Sequence, residues 1–588
     1  MKKLLIYMKG YWREAVIAPL FKMLEASFEL LVPLVMAKII DVGIRTQDTQ
    51  YIWHMCALMI FLGVLGLVCS LTAQYFAAKS SMGFGTALRK ALFAHINEFS
   101  YSELDVIGTP TLVTRMTSDI NQTQAGVNLV LRLFLRSPFI VVGAVFMAMT
   151  ISVRLTVIFL IAVPLIALAI FLIVKITIPL YRKVQNTLDQ VVRHTRENYV
   201  GARVVRAFSR QDSEIEEFEK SSGELKGIQL LAGRISALMN PITYVLVNLA
   251  IIAILQAGSY AVYGGEITQG ELTALINYMS QILLALVALA NLIITVTRAT
   301  ASALRINEVF AHKPTMKEGT RGNADGTQKG EIIREEGQSV PKVAFKNVTF
   351  SYPGAQEPAL SHISFTAMAG ETIGIIGGTG SGKSTLVNLI PRFYDAASGE
   401  VVVDGQNVKE YTFSGLRKKI GMVPQKAVLF LGTIRQNMCW RVPEASEEEI
   451  WEALTIAQAR EVVEGKPQGL ETMVSAVGKN FSGGQRQRLT IARALTGRPE
   501  ILVLDDSASA LDFATDAALR RALKQGTRDM TVFLVSQRAA TVREADKILV
   551  MDDGELVGQG THGELLNSCP VYREICLSQF SKEEVEGL

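Results

Sequence analysis

The sequence predicts two folds in one chain: a polytopic α-helical membrane domain with six transmembrane helices, then an α/β domain of the P-loop NTPase class. Three observations carry this. The 588 residues are too many for one core. Long apolar runs crowd the first half of the chain, whereas the second half has ordinary soluble spacing. Residues 377–384 read G-x-x-x-x-G-K-S directly after a short apolar run. The net charge of +4 is small for this length and argues against nucleic acid or another polyanion as partner.

The spans come first. A transmembrane helix needs about 20 mostly apolar residues. Six stretches qualify: Ala15–Val42, Trp53–Ala78, Ser137–Ile151, Leu155–Val174, Pro241–Tyr263 and Leu272–Val296. The apolar stretch 137–180 is too long for one span, and Arg154 marks the turn between two. The basic start, MKKLLIYMKGYWR, is not expected to be a cleaved signal, because Lys9 and Arg13 interrupt any apolar core. The five cysteines (56, 69, 439, 569 and 576) form no CxxC pair and read as scattered reduced thiols.

The connections alternate. Three are short and carry few cations. Lys79–Arg136 and Arg182–Arg234 are long and rich in Lys and Arg. The positive-inside rule places these two loops and both termini in the cytoplasm, so the chain is expected to be a multi-pass protein of the cell membrane. "LVTRMTSDINQTQ" and "NYVGARVVRAFSRQ" keep helical spacing. The long loops therefore read as membrane helices continued into the cytoplasm, with tips able to dock on a soluble domain. Lys22, Glu25 and Glu29 share one face of the first span. Either they line a translocation cavity and favour cationic substrates, or Lys22 pairs with Glu25 and one acid sits near the interface.

The membrane domain is assigned to residues 1–311, a charged, Gly-rich flexible linker to 312–342, and the nucleotide domain to 343–588. Val343–Phe350 alternates as a strand, and Asp404-Gly405 signals a hairpin. Ser446 with Glu449 forms a capping box. Thr372–Ile376 is a buried strand feeding the loop Gly377, Gly378, Thr379, Gly380, Ser381, Gly382, Lys383, Ser384 and Thr385. Backbone N–H groups of such a loop cradle ATP phosphates, Lys383 reaches the β- and γ-phosphates, and the Ser384 hydroxyl takes Mg²⁺. "LVLDDSASALD" ends a second apolar strand in two acids. Asp505 is placed to hold Mg²⁺ through water, and Asp506 to polarise the attacking water.

Further motifs carry a family resemblance. "NFSGGQRQR" (480–488) resembles the LSGGQ signature of ABC ATPases, with Phe481 for the usual Leu. "FSYPG", "GMVPQ" and "SALD" resemble the A-loop, Q-loop and D-loop. Over nearly its whole length the chain is similar to an ABC exporter half-transporter. The resemblance implies that Tyr352 stacks on adenine and that Gln425 serves catalysis and the metal. It implies that Ser482, Gly483, Gly484, Gln485 and Asp512 serve ATP held by a second half-transporter chain. The residues agree for the signature: Ser482–Gln485 opens a helix running to about Leu495, and Gly497 and Pro499 end it.

Two positions depart from the family. Where a glutamate is usual stands Asp506, and where a histidine is usual stands Gln537. The resemblance also sets Ala476 where a glutamate is usual. A shortened base loses reach before it loses basicity, and an amide cannot carry a proton-linked charge. The pattern resembles the degenerate-site subunit of heterodimeric bacterial multidrug exporters. It implies ATP-driven export of small hydrophobic or cationic compounds, or lipids, across the bilayer. A homodimer with two slow sites, an importer on the same fold and a nucleotide-gated channel are the competing readings. Six spans argue against a merely anchored ATPase.

Overall fold

The computed structural model describes residues 2–321, 340–508 and 511–581. Most of the predicted linker (322–339) and Ser509 of the "SALD" stretch lie outside the described residues. The chain divides into two units: Met1–Asn97 with Pro110–His312, and Glu98–Thr109 with Lys313–Leu588.

In the first unit six helices occupy the predicted span positions: α1 (Trp12–Lys38), α2 (Thr49–Asn97), α3 (Arg136–Ile151), α4 (Val153–Val200), α5 (Met239–Tyr263) and α6 (Gln269–Ala311). Among the described residues, five helices are long and apolar enough to cross a membrane, those ending at residues 97, 151, 200, 263 and 311. The first span is not among them, because Lys22, Glu25 and Glu29 fall within every comparable window of it. At 1.5 Å per residue the 49 residues of α2 extend roughly 70 Å, more than twice a hydrocarbon core. The surplus is the predicted helical continuation of the loop.

Small residues and buried polar ties close the bundle. Ala144, Ala148, Ala250 and Ala274 are buried at the packing faces. The Tyr278 hydroxyl, fully buried, donates to the Leu30 carbonyl at 2.7 Å. Asp41, just past α1, accepts from Gly270 N at 2.8 Å and from the Thr268 hydroxyl, so it anchors the start of α6. Of the two readings of the first-span charges, the structure shows the pair. Lys22 Nζ lies 2.6 Å from Glu25 and donates to Ser70 at 3.0 Å. Glu29 is paired too, with Arg136 at 2.8 Å.

Besides the two-stranded pair Gly432–Thr433 with Met473–Val474, the described part of the second unit contains two larger sheets. The strands are β1 (Val343–Phe350), β2 (Leu360–Ala367), β3 (Thr372–Gly377), β4 (Ser398–Val403), β5 (Gln406–Asn407), β6 (Ile420–Val423), β7 (Ile501–Asp505), β8 (Thr531–Val535), β9 (Lys547–Asp552) and β10 (Glu555–Gly560). One sheet is antiparallel, in the order β2-β1-β4-β5. Its β4–β5 turn has φ of +50° at Asp404 and +75° at Gly405, the left-handed pair that a tight hairpin needs. The other sheet runs β10-β9-β3-β8-β7-β6, parallel except for β10. Buried on both faces, β7 is solidly apolar until Asp505, as parallel strands are.

The tip of the first long loop belongs to this second unit. Its short helix, Tyr101–Ile107, sets the Tyr101 ring against Phe393 at a tilt, 4.7 Å between centroids, and Asp105 accepts from the Tyr394 hydroxyl at 2.7 Å. The start of the predicted linker is bound rather than free. Gly319 N donates to Tyr411 O at 3.1 Å, and Arg321 N to Glu410 O at 3.0 Å.

Candidate functional site

Four parallel strands deliver their carboxyl ends to one edge of the sheet. In register, Val535 of β8 lies beside Ile375 of β3 and Asp505 of β7, while Val423 of β6 lies beside Leu504. The residues just beyond each end therefore converge: the Gly-rich loop, Asp506, Gln537 and Gln425. Ligands of open α/β sheets bind at this edge.

The loop conformation depends on glycine at defined points. At Gly382 φ is +91°, and an added Cβ would lie 2.8 Å from the Leu360 side chain and 2.9 Å from Ala359 O. At Gly377 a Cβ would press to 2.1 Å on Met551 O. By contrast, Gly378 and Gly380 meet nothing within 4 Å, which is the open side where a phosphate approaches. Lys383 Nζ lies across the loop and donates to Gly377 O at 3.0 Å, Gly378 O at 2.5 Å and Ser381 Oγ at 3.3 Å. Burial pushes its ammonium below the ordinary lysine value, against the pull of Asp506 and Asp505. A buried cation in that condition favours an anionic ligand.

Asp505, 5% exposed, accepts from the Ser384 hydroxyl at 2.9 Å. Burial raises its carboxyl above the ordinary range, which outweighs the lowering by Ser384; Asp506 adds to the rise and Lys383 opposes it. A hydroxyl and a buried carboxylate so placed, with the Gln425 amide near, fit a hard cation shared with phosphate oxygens. Mg²⁺ would be held there by Ser384, Asp505 and Gln425. Asp506 sits at φ +45°, a left-handed conformation that aspartate tolerates better than most residues, and its N–H donates to Val535 O at 3.0 Å. Its carboxylate lies 3.4 Å from Gln425 Nε2.

These groups line a cavity of about 270 Å³: Tyr352, Thr379, Gly380, Gly382, Lys383, Ser384, Thr385, Gln425, Asp505, Asp506 and Gln537. Tyr352 stands edge-on to Phe350 and Tyr394, and its hydroxyl is 3.0 Å from Thr385 Oγ1. Sequence reasoning missed Ala359, Val535 and Ser536 in this lining. Ser536 had a faint signal as the first residue beyond a buried strand. A larger cavity, about 480 Å³, lies beside the helix Phe513–Gly526 and shares none of these residues.

The comparisons with known proteins agree with this geometry. The model for the ABC transporter transmembrane region matches residues 15–286, and the ABC transporter model matches residues 360–509. An ABC transporter ATP-binding protein of Bacillus subtilis (strain 168), YfiB, is 38% identical over 588 residues, all of both chains.

The chain belongs to the ABC transporter family.

An ATP-dependent lipid A-core flippase of Escherichia coli (strain K12) is 30% identical over 574 residues, 96% of this chain and 95% of the flippase. A solved structure of a bacterial Atm1-family ABC exporter with ATP bound superposes with a TM-score of 0.77, at 23% identity, over 97% of this chain and 98% of that one. The fold is therefore the exporter fold, and the protein is an ATP-hydrolysing transporter of this family.

The remaining predicted site residues lie elsewhere in the ABC domain. Ser482 caps the helix Gly483–Leu495, where its Oγ accepts from Gln485 N at 3.3 Å and the Gln485 side chain accepts from Ser482 N at 3.1 Å. Asp512 caps the helix Phe513–Gly526 through Thr515 N and the Thr515 hydroxyl, both at 2.9 Å. None of Ser482, Gly483, Gly484, Gln485 and Asp512 lines the cavity.

Proposed function

We propose that this chain is one half of a heterodimeric exporter of hydrophobic or amphiphilic compounds, and that its own ATP site grips nucleotide while cleaving it slowly. One observation carries the reading: among the described residues the cavity is lined by no glutamate and no histidine. The acids beside the phosphate loop are both aspartates, and the Gln537 amide stands where a histidine is usual. The parts that bind are present, namely Lys383, Ser384, Asp505 and the aromatic Tyr352. The parts that activate water are shortened or replaced. A general base must reach its proton through a distance near 3 Å, directly or through one water.

A partner chain is supported by what the cavity lacks. The signature residues lie outside the cavity of their own chain, and the start of their helix fits an anion. Tyr199, Val200 and Phe208, at the tip of the second long loop, are 79%, 83% and 75% exposed, an apolar tip that suits burial against another chain. ATP binding would then close two nucleotide domains head to tail, and the long helices would carry that closure to the spans. The basic long loops support cytoplasmic termini. The first-span charges, paired within the chain, give no preference for cationic cargo. The relatives named lipid A-core flippases lend weight to an amphiphile.

The test is single-turnover hydrolysis in the assembled transporter with the partner's catalytic site disabled. Tight Mg·ATP binding with slow cleavage is expected. Brisk cleavage by this chain free of any companion half would instead establish two competent, equivalent sites.

A further inference from the structure

The loop that carries Gln537 is held from outside the nucleotide cavity. Gln579 is the last residue of the helix Pro570–Gln579. Its Oε1 accepts from Ala539 N at 2.8 Å, and its Nε2 donates to Gln537 O at 2.8 Å. One side-chain amide thus joins the middle of the turn after β8 to the first residue of the helix Ala539–Val542. The orientation of the amide is forced, since a backbone N–H needs the oxygen and a carbonyl needs the nitrogen. Other ties of the turn include Ser536 N to Ile375 O at 3.0 Å and Arg538 N to Ser536 Oγ at 2.9 Å. Neither reaches Gln537.

The helix that presents Gln579 is firmly seated. Tyr572 and Cys576 are fully buried and one turn apart, in one cluster with Ala539, Val542 and Ile376. Ile376 is the residue before the phosphate loop. The Tyr572 hydroxyl is also 2.7 Å from His562 Nδ1. The amide is therefore carried on an element packed against the same strand that feeds the site.

We propose that Gln579 is a positioning residue of the nucleotide site: the carboxy-terminal helix uses its amide to set where Gln537 stands against the terminal phosphate of ATP. This rests on the proposed function and takes Gln537, which lines the cavity beside the phosphate loop, to meet the γ-phosphate. A ligand lacking that phosphate does not feel the clamp, so Gln579 acts on the preference for ATP over ADP.

Affinities for Mg·ATP and ADP, measured with trinitrophenyl nucleotides on the full-length transporter, test it. Gln579→Ala should weaken ATP about 5-fold, as for loss of one net hydrogen bond, and leave ADP within about 2-fold. Gln579→Glu still accepts from Ala539 N but no longer donates to Gln537 O, so it should show the same loss of ATP preference with the helix seated. Gln537→Ala should remove the preference by itself, and adding Gln579→Ala should then cost nothing more. Equal weakening of both nucleotides, or losses that add in the double variant, would overturn the proposal. If Gln537→Ala shifts the ratio while Gln579→Ala does not, Gln579 has no positioning role although the reading of Gln537 stands. If Gln537→Ala leaves the ratio untouched, that reading fails and the proposal falls with it.

Discussion

Under the proposed function, replacing Asp506 by glutamate and Gln537 by histidine should raise the rate at which this site cleaves ATP. The longer acid adds one methylene, about 1.5 Å of reach. A misplacement of about 1 Å in a catalytic group costs on the order of 100-fold, so restored reach should return a gain of that size. A cost opposes it. The backbone at this position sits at φ +45°, which aspartate tolerates better than glutamate. A penalty of about 1 kcal/mol would take back a factor of about 5. Asp506→Glu alone should therefore raise turnover about 20-fold. The double variant should gain more, since an imidazole in place of the Gln537 amide can carry charge while the phosphate leaves. The assay is single-turnover cleavage of labelled ATP with transporter in excess and the partner's site disabled. An unchanged rate with ATP affinity intact would refute the argument from reach.

Other outcomes follow from the same geometry. Ser482→Ala should damage transport by the complex more than Asp506→Asn does, because the signature would serve the competent site; equal damage in an ATPase assay would indicate two equivalent sites. Mg·ATP at 100 times its dissociation constant should raise the melting midpoint of the wild-type protein by about 5–10 °C, and Lys383→Met should abolish that shift, as read by scanning fluorimetry. The raised carboxyl of Asp505 sets a pH dependence. Protons compete with Mg²⁺ for it at a higher pH than for an ordinary aspartate, so Mg²⁺-dependent ATP binding should begin to weaken early as pH falls from neutral. Without metal the sign reverses for stability: the folded state holds that proton more tightly, so this contribution is lost as pH rises through the raised value. Asp505→Asn should flatten both profiles, and a binding curve of unchanged slope in that variant would count against the assignment.

Much of the site was legible because phosphate binding is a local affair. A strand, a turn that only glycine can make and a helix start lie within a dozen residues, so Thr372–Gly377 and Lys383–Leu389 stand where periodicity and composition place them. The Ser446–Glu449 cap was readable for the same reason, since it joins residues three apart. The amide of Gln579 was not readable. Its partners are 40 and 42 positions away, and a glutamine at a helix end carries no pattern. The tie of Asp105 to Tyr394 spans 289 positions and was equally silent.

Sequence alone settled the kinds of groups present: apolar runs that water rejects, glycines where a side chain would collide, and an aspartate and a glutamine where the family resemblance implies a longer acid and an imidazole. Tertiary structure alone decided which charges meet. Lys22 and Glu25 were candidates for pairing by helical spacing, but Ser70 beside Lys22, and Arg136 opposite Glu29, came only with the packing of separate helices. The reason is range. Backbone sterics and hydrogen bonds between near neighbours act within a few residues, whereas burial and charge pairing depend on which distant segments the folded chain brings together.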